Sequence, residues 1–269
     1  MGRLEGKVAA ITGGAMGMGA GCAQVFAKEN AVVNIVDFNA EKGEAMAQSL
    51  RDAGYTSKFF QADVRDENRL AEIYQAIVDE FGHLDILVNA AGRGDQRSFL
   101  KADKAYLDSY MDVNFGGIWN SCHAAIPHML KQQYGKIVNF ASVTGIMVVD
   151  PCMTVYAATK GAIMALTKSL AVEFAGQGIT VNAILPGMID TPMTRASCAE
   201  ANPENPQSIM DAMAAQIPMG RLGTAEEAGK TCLFLASDDS SYVTGTSIVF
   251  DGGNTIPENP GCGWEPQED

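Results

Sequence analysis

The chain has 269 residues, with 32 acidic side chains against 19 basic ones and a formal net charge of −13. That balance argues against nucleic-acid binding as a main activity, because a surface that neutralises phosphates must be basic. Hydrophobic residues at 47% and charged residues at 19% match a folded globular protein and exclude an extensively disordered chain.

The N-terminal MGRLEGKVAAIT has no long apolar run ahead of its first charges and no small-residue cleavage site, so no signal peptide is expected. No window approaches the roughly 18 uninterrupted apolar residues of a spanning helix. Six cysteines, Cys22, Cys122, Cys152, Cys198, Cys232 and Cys262, are scattered without a C-x-x-C pair. Free thiols in a reducing compartment, and hence a cytoplasmic protein, are the expectation.

Short runs rich in Val, Ile and Ala alternate along the chain with longer segments of helical period. The first, KVAAIT over 7–12, reads as a strand and leads directly into Gly13-Gly14-Ala15-Met16-Gly17-Met18-Gly19 and a helix over 18–30. Glycines at such a junction allow a sharp turn and a close approach of backbone to a pyrophosphate, which meets the amides and dipole of the helix N-terminus. A second strand over 32–37 ends in Asp37, followed by Phe38. A carboxylate there accepts from both hydroxyls of an adenine-side ribose and repels a 2′-phosphate, which favours NAD over NADP. Met16 also stands where a basic residue would hold that phosphate. A helix over 40–53 and a strand over 57–63 follow, placing Asp63 and Val64 to contact the adenine ring and its amino group.

A helix over 67–81 precedes a strand over 84–89, and a long helix over 101–131 carries Asn114, a poor helix former that suits a water linking Lys160 to solvent. The strand over 136–142 ends at Ser142, which is placed to bond a substrate oxygen and stabilise charge there. On the helix over 155–177, Tyr156 and Lys160 are four apart and share a face. A free phenol ionises near pH ~10; an adjacent ammonium favours the phenolate and makes Tyr156 a general acid/base. A strand over 180–185 is followed by a segment over 188–223, containing TPMTR and the amphipathic SIMDAMAAQI, which reads as a substrate lid. A helix over 225–236 and a strand over 247–251 complete the series.

Most strands are too apolar to face water on either side, as in a parallel sheet covered by helices on both faces. The expected architecture is α/β: a doubly wound, Rossmann-like parallel sheet of about seven strands in one domain over 1–253. The acidic, Pro-rich tail over 254–269 is either a frayed end or an arm that packs through Trp264.

Taken in order, Thr12-Gly13-x-x-x-Gly17-x-Gly19, Asn89-Ala90-Ala91-Gly92, Asn114, Ser142, Tyr156-x-x-x-Lys160 and Pro186-Gly187 resemble the short-chain dehydrogenase/reductase family from Leu4 to Gly253. One departure is Asn-Ala-Ala-Gly where the family commonly has Asn-Asn-Ala-Gly. The resemblance implies a nicotinamide cofactor held by the glycine loop, Asp37, Asn89, Ala90, Gly92, Tyr156, Lys160, Pro186 and Gly187, with Ile189 and Thr191 on the carboxamide. It also implies pairing of the long helices and last strands into a homotetramer. Histidines 83, 123 and 128 offer no paired ligands, so no metal is expected.

Half of the 14 methionines, Met147, Met153, Met188, Met193, Met210, Met213 and Met219, lie in segments expected around the substrate. With Val148, Val149, Ile209 and Ile217 they favour a bulky apolar substrate such as a hydroxysteroid or bile acid, contacted by Met147, Met188 and Met193 beside Ser142 and Tyr156; methionine that merely packs a mobile lid explains them equally well. Arg97 or Arg195 is placed to meet a carboxylate. A sugar or polyol dehydrogenase and a 3-oxoacyl reductase use the same machinery. A non-catalytic nucleotide-binding sensor, by contrast, is expected to lack Tyr156, Lys160 or Ser142, and all three are present.

Overall fold

Runs of small and β-branched apolar residues form seven strands: β1 (Val8–Thr12), β2 (Val32–Asp37), β3 (Ser57–Gln61), β4 (Ile86–Asn89), β5 (Gly135–Phe140), β6 (Ile179–Pro186) and β7 (Ser247–Phe250). The central strands are buried on both faces and the edge strands β3 and β7 only in part, and together they form one all-parallel sheet in the order β3-β2-β1-β4-β5-β6-β7. This computed structural model describes residues 2–257; residues 258–269, with Trp264, lie outside the described residues.

The crossovers are helices α1 (Gly17–Lys28), α2 (Ala40–Asp52), α3 (Glu67–Phe81), α4 (Lys104–Tyr110), α5 (Gly117–Gln132), α6 (Thr154–Phe174), α7 (Pro192–Ala201), α8 (Pro206–Ala215) and α9 (Ala225–Ala236). They leave one core on each face of the sheet. On one side Leu70, Ile73, Tyr74, Ile118 and Ile163 pack around β4 to β6; on the other Phe26, Ile35, Leu50, Leu233 and Leu235 pack around β1 and β2. Helices α1 and α9 touch backbone to backbone, because a Cβ on Gly21 would stand 1.9 Å from the Ala225 carbonyl oxygen. No described helix is long and apolar enough to cross a membrane.

Two segments differ from the sequence reading. The helix expected over 101–131 is broken: a 3-10 turn at Phe99–Lys101, a fresh start at α4 where the Asp103 side chain accepts from Tyr106 N at 2.8 Å, and a π-helical turn at Met111–Gly116 before α5. A capping aspartate ends one helix pattern and begins another, and the π turn lies where Asn114 bonds away from its own helix. The 188–223 segment holds two helices, not one amphipathic piece. Thr191 caps α7 ahead of Pro192, and Asn205 caps α8 ahead of Pro206, the sequence signature of a helix start with Pro in its first turn.

Candidate active site

Strand order reverses at β1, which pairs with β2 on one side and β4 on the other, and this opens a crevice at the carboxyl ends of those strands. Gly13 lines it with φ +68, and a Cβ there would lie 2.6 Å from Ala91 N; one on Gly19 would lie 2.1 Å from the Gly13 oxygen. Side chains are therefore excluded where the loop meets the start of α1. That helix has neither a capping side chain nor an acidic residue in its first turn, whereas Asn39, Asp66 and Thr224 cap α2, α3 and α9. Its first amides and its dipole therefore suit an anion. Met16 is its N-cap, Met18 lies in its first turn, and a Cβ on Gly17 would stand 3.7 Å from the Thr191 side chain.

Asp37 is buried, and its two carboxylate oxygens accept from Ala15 N at 3.1 Å and Asn39 N at 3.0 Å, which ties the end of β2 to the glycine loop. Phe38 beside it is 71% exposed. Asp63 lies beyond the end of β3, and both its oxygens accept from Arg65, the shortest contact being 2.5 Å; those bonds hold its carboxyl below the usual range. It is thus engaged with a neighbour at the end of β3 and remains partly exposed. Val64 is buried against Gly117, and its carbonyl accepts from Asn120.

At the end of β4, Asn89 donates to Asn139 Oδ1 at 2.9 Å, while its own buried Oδ1 has no partner among the described residues. Ala90 N donates to the Thr12 carbonyl, so the next turn runs beside the glycine loop. A Cβ on Gly92 would then stand 3.4 Å from Asn114 Oδ1. Asn114 grips that turn from both sides, accepting from Arg93 N at 2.9 Å and donating to Arg93 O at 3.1 Å, and it donates to Thr159 on α6. Its amide is fixed to backbone, which accounts for the π turn.

Ser142 lies two residues past β5, buried, its Oγ accepting from Thr144 N at 3.1 Å. Tyr156 lies in the first turn of α6 near Ser142, and Lys160 one turn on is buried with Nζ donating to the Phe140 carbonyl at 2.7 Å. Nζ stands 5.4 Å from the Tyr156 ring centroid. Burial pushes the Tyr156 phenol up, opposed by the nearby Ser142 hydroxyl, and lowers Lys160 to about 8. In this structure desolvation sets the direction for the phenol, while the Lys160 ammonium is turned to the Phe140 carbonyl.

Pro186 ends β6, and Gly187 packs against Asp251 while donating to Phe250 O. Met188 and Asp190 pair through their backbones with Gly223, fixing both ends of the 188–223 segment, and Ile189 is buried between them. A Cβ on Gly94 would sit 3.4 Å from the Tyr156 ring and 3.5 Å from Met193 Sδ, so these three meet. Met147 and Met193 remain 53% and 49% exposed, whereas Met213 packs on Cys198 and Ile217 is buried. Arg195 forms a bidentate pair with Asp190, which removes it as a receptor for a substrate carboxylate. Among the described residues no cluster of His, Cys, Asp or Glu has the makings of a metal site.

A family model described as enoyl-(acyl carrier protein) reductase matches residues 13–255. The chain belongs to the short-chain dehydrogenase/reductase family. It is 45% identical to oxidoreductase UcpA of Escherichia coli (strain K12), over 98% of this chain and 100% of that protein. It is 37% identical to the 3-oxoacyl-[acyl-carrier-protein] reductase FabG of Thermotoga maritima, over 94% and 100%. The crystal structure of levodione reductase superposes with a TM-score of 0.88 at 33% identity, covering 94% of this chain and 98% of that one. The protein is thus an oxidoreductase of a family that binds a nicotinamide cofactor. The glycine loop with no room for a Cβ at Gly13 or Gly19, the uncapped α1 and the orphaned Asn89 Oδ1 fit such a group.

Sequence reasoning missed Asn139, Thr159, Tyr106 and Tyr110. Asn139 carried a legible signal, a polar amide in an otherwise apolar strand, and buried polar groups of that kind need partners. The other three are visible only once the turn after β4 is placed.

The Lys160 ammonium titrates near pH 8 when folded and near 10.5 when free. Between those values the unfolded chain holds more protons, so wild-type stability rises with pH through that window. The stability difference between wild type and Lys160→Met should shift toward wild type from pH 8 to 10.5, by roughly 3 kcal/mol at most. Chemical denaturation at several pH values checks this; a flat difference would mean that the ammonium is solvated.

Proposed function

We propose that this protein is an NAD-dependent dehydrogenase/reductase that interconverts a secondary alcohol and its ketone, with Tyr156 as the acid/base. The observation that carries the reading is the meeting of Tyr156, Ser142 and Lys160 beside a crevice whose glycine loop excludes side chains. A bound nicotinamide gives or takes the hydride at its C4. Tyr156 donates its proton to the ketone oxygen, or accepts it from the alcohol, while Ser142 bonds that oxygen and stabilises its developing charge. Lys160 turns from the Phe140 carbonyl to the ribose hydroxyls, where its charge supports the phenolate. Asn114 holds the turn after β4 and keeps one Oδ1 lone pair for a water of the proton path.

Asp37 supports NAD, since its carboxylate at the end of β2 repels a 2′-phosphate. Gly13, Met16, Gly17, Met18 and Gly19 take the pyrophosphate. Phe38, Asp63 and Val64 flank the adenine, Asn89, Ala90 and Gly92 the nicotinamide ribose side, and Pro186, Gly187, Ile189 and Thr191 the carboxamide. Segment 188–223 covers the substrate as a lid on the domain over 1–253, and exposed Met147 and Met193 favour an apolar body, with hydroxysteroids among the candidates. Reduction of a 3-oxoacyl substrate is a second reading, supported by the likeness to the Thermotoga maritima reductase. Five described cysteines are unbridged, which suits a reducing cytoplasm.

Helices α5 and α6 leave an apolar groove of about 360 Å³ lined by Trp119, Ile126, Leu166, Leu170 and Phe174, and Val172 is 85% exposed. With β7 an open sheet edge, these faces support a homotetramer. Size-exclusion chromatography with light scattering should give four copies; a monomer at micromolar concentration would count against it.

In cofactor exchange, kcat/KM should be higher with NADH than with NADPH by at least about tenfold, and the reverse order would sink the assignment to Asp37. Tyr156→Phe should lose nearly all turnover, more than about a hundredfold, and still bind NADH by fluorescence titration. Because burial raises the Tyr156 phenol, the proton is in place at neutral pH. Ketone reduction should therefore be level near neutrality, and alcohol oxidation should climb toward alkaline pH in initial-rate profiles.

A further inference from the structure

All eight arginines fall within the described residues, and seven of them stand within 4.0 Å of a carboxylate: Arg3, Arg51, Arg65, Arg69, Arg93, Arg195 and Arg221. Arg97 alone has no carboxylate partner among the described residues, although acidic side chains outnumber basic ones 32 to 19. Its position is nonetheless fixed. The guanidinium lies 4.0 Å over the Tyr106 ring, and that ring packs 4.9 Å from Tyr110. Stacking occupies the face of a guanidinium and leaves its N–H edge for a planar anion. The nearby Asp95 forms no ion pair with Arg97; its Oδ1 accepts from Arg93 and Tyr110.

The backbone sets Arg97 at the mouth of the Tyr156 site. Arg97 N donates to the Cys152 carbonyl at 3.0 Å, just ahead of the helix that carries Tyr156, while Gly94 of the same turn lies against the Tyr156 ring. Cys152 has φ +66, a left-handed conformation that a side-chain-bearing residue keeps only where its surroundings hold it. At Gly94, between Arg97 and the Tyr156 ring, the side chain of half-exposed Met193 adds an apolar group.

We propose that Arg97 is the specificity-determining anchor for a carboxylate on the far end of the substrate, so that the enzyme acts on oxo- or hydroxy-carboxylates with an apolar body. This rests on the dehydrogenase reading above. The hydride and proton steps are unchanged; Arg97 orients the substrate through a charge-assisted, two-point contact.

The test compares 4-oxocyclohexanecarboxylate with its methyl ester in NADH-consumption assays, using wild type, Arg97→Gln, Arg97→Lys and, as a control for the general field, Lys101→Gln. Wild type should prefer the carboxylate, and Arg97→Gln should cut the acid-to-ester ratio of kcat/KM about tenfold, mainly through KM for the acid. Arg97→Lys should recover part of the ratio, and Lys101→Gln should keep it. No preference in wild type, an unchanged ratio in Arg97→Gln, or an equal fall in Lys101→Gln overturns the proposal. Should neither compound turn over, calorimetric titration of the acid into NAD-saturated protein decides: binding lost in Arg97→Gln supports the anchor, and equal or absent binding refutes it. Failure of every ketone and alcohol tried to change NADH absorbance counts separately, against the dehydrogenase reading.

Discussion

The close approach of β1 and β4 at their carboxyl ends governs the site. Gly13 and Ala91 leave no room for a Cβ between them, and Gly19 leaves none against Gly13. Because the strand order reverses there, the helices that follow these strands go to opposite faces and the crevice stays open between them. Everything that points into it hangs from a strand end: Asp37 from β2, Asn89 from β4, Ser142 just past β5 and Pro186 at the end of β6. A larger residue at Gly13 or Gly19 would spread the sheet at its centre and displace all four together.

Burial then sets the electrostatics. A phenol raised and an ammonium lowered by the same desolvation describe a pair biased toward its neutral members. The one bond that Lys160 makes, to the Phe140 carbonyl, offsets little of the cost of burying its charge. Asn114 contributes at one remove. By holding the Arg93 backbone on both sides and reaching Thr159, it couples the turn after β4 to the helix of Tyr156. A π turn costs regular helix bonding, and such turns recur at functional sites for this kind of reason.

Much of this was legible in the residues. Helices over 67–81 and 225–236 and the strand over 32–37 coincide with α3, α9 and β2, because cap, period and apolar run agree at each. The failures have common physics. Within the pattern over 101–131 Asp103 is an N-cap that starts α4, and Asn114, a poor helix former in the sequence, bonds the Arg93 backbone away from its helix, a choice decided by tertiary neighbours. Thr191-Pro192 is a helix start signal that the reading of the lid left unused. Pairing of the tyrosine with the lysine is a matter of spacing; their ionisation depends on burial, which spacing does not carry.

The turn over 93–97 shows how little regular structure a pocket wall needs when polar groups are fully used. Arg93 bonds Ser109 and Asp95 and lies 4.6 Å over the Tyr110 ring; Asp95, despite the cost of burial, is held below the usual carboxylate range by bonds from Tyr110 and Arg93. Burial in turn pushes the Tyr110 phenol up, so it remains a donor to that carboxylate. A loop closed in this way has few alternative conformations to lose on binding, and a contact it makes suffers less from ordering cost than one on a free surface loop. The exposed charge left over in such a turn is therefore worth more for recognition than the same residue elsewhere on the surface.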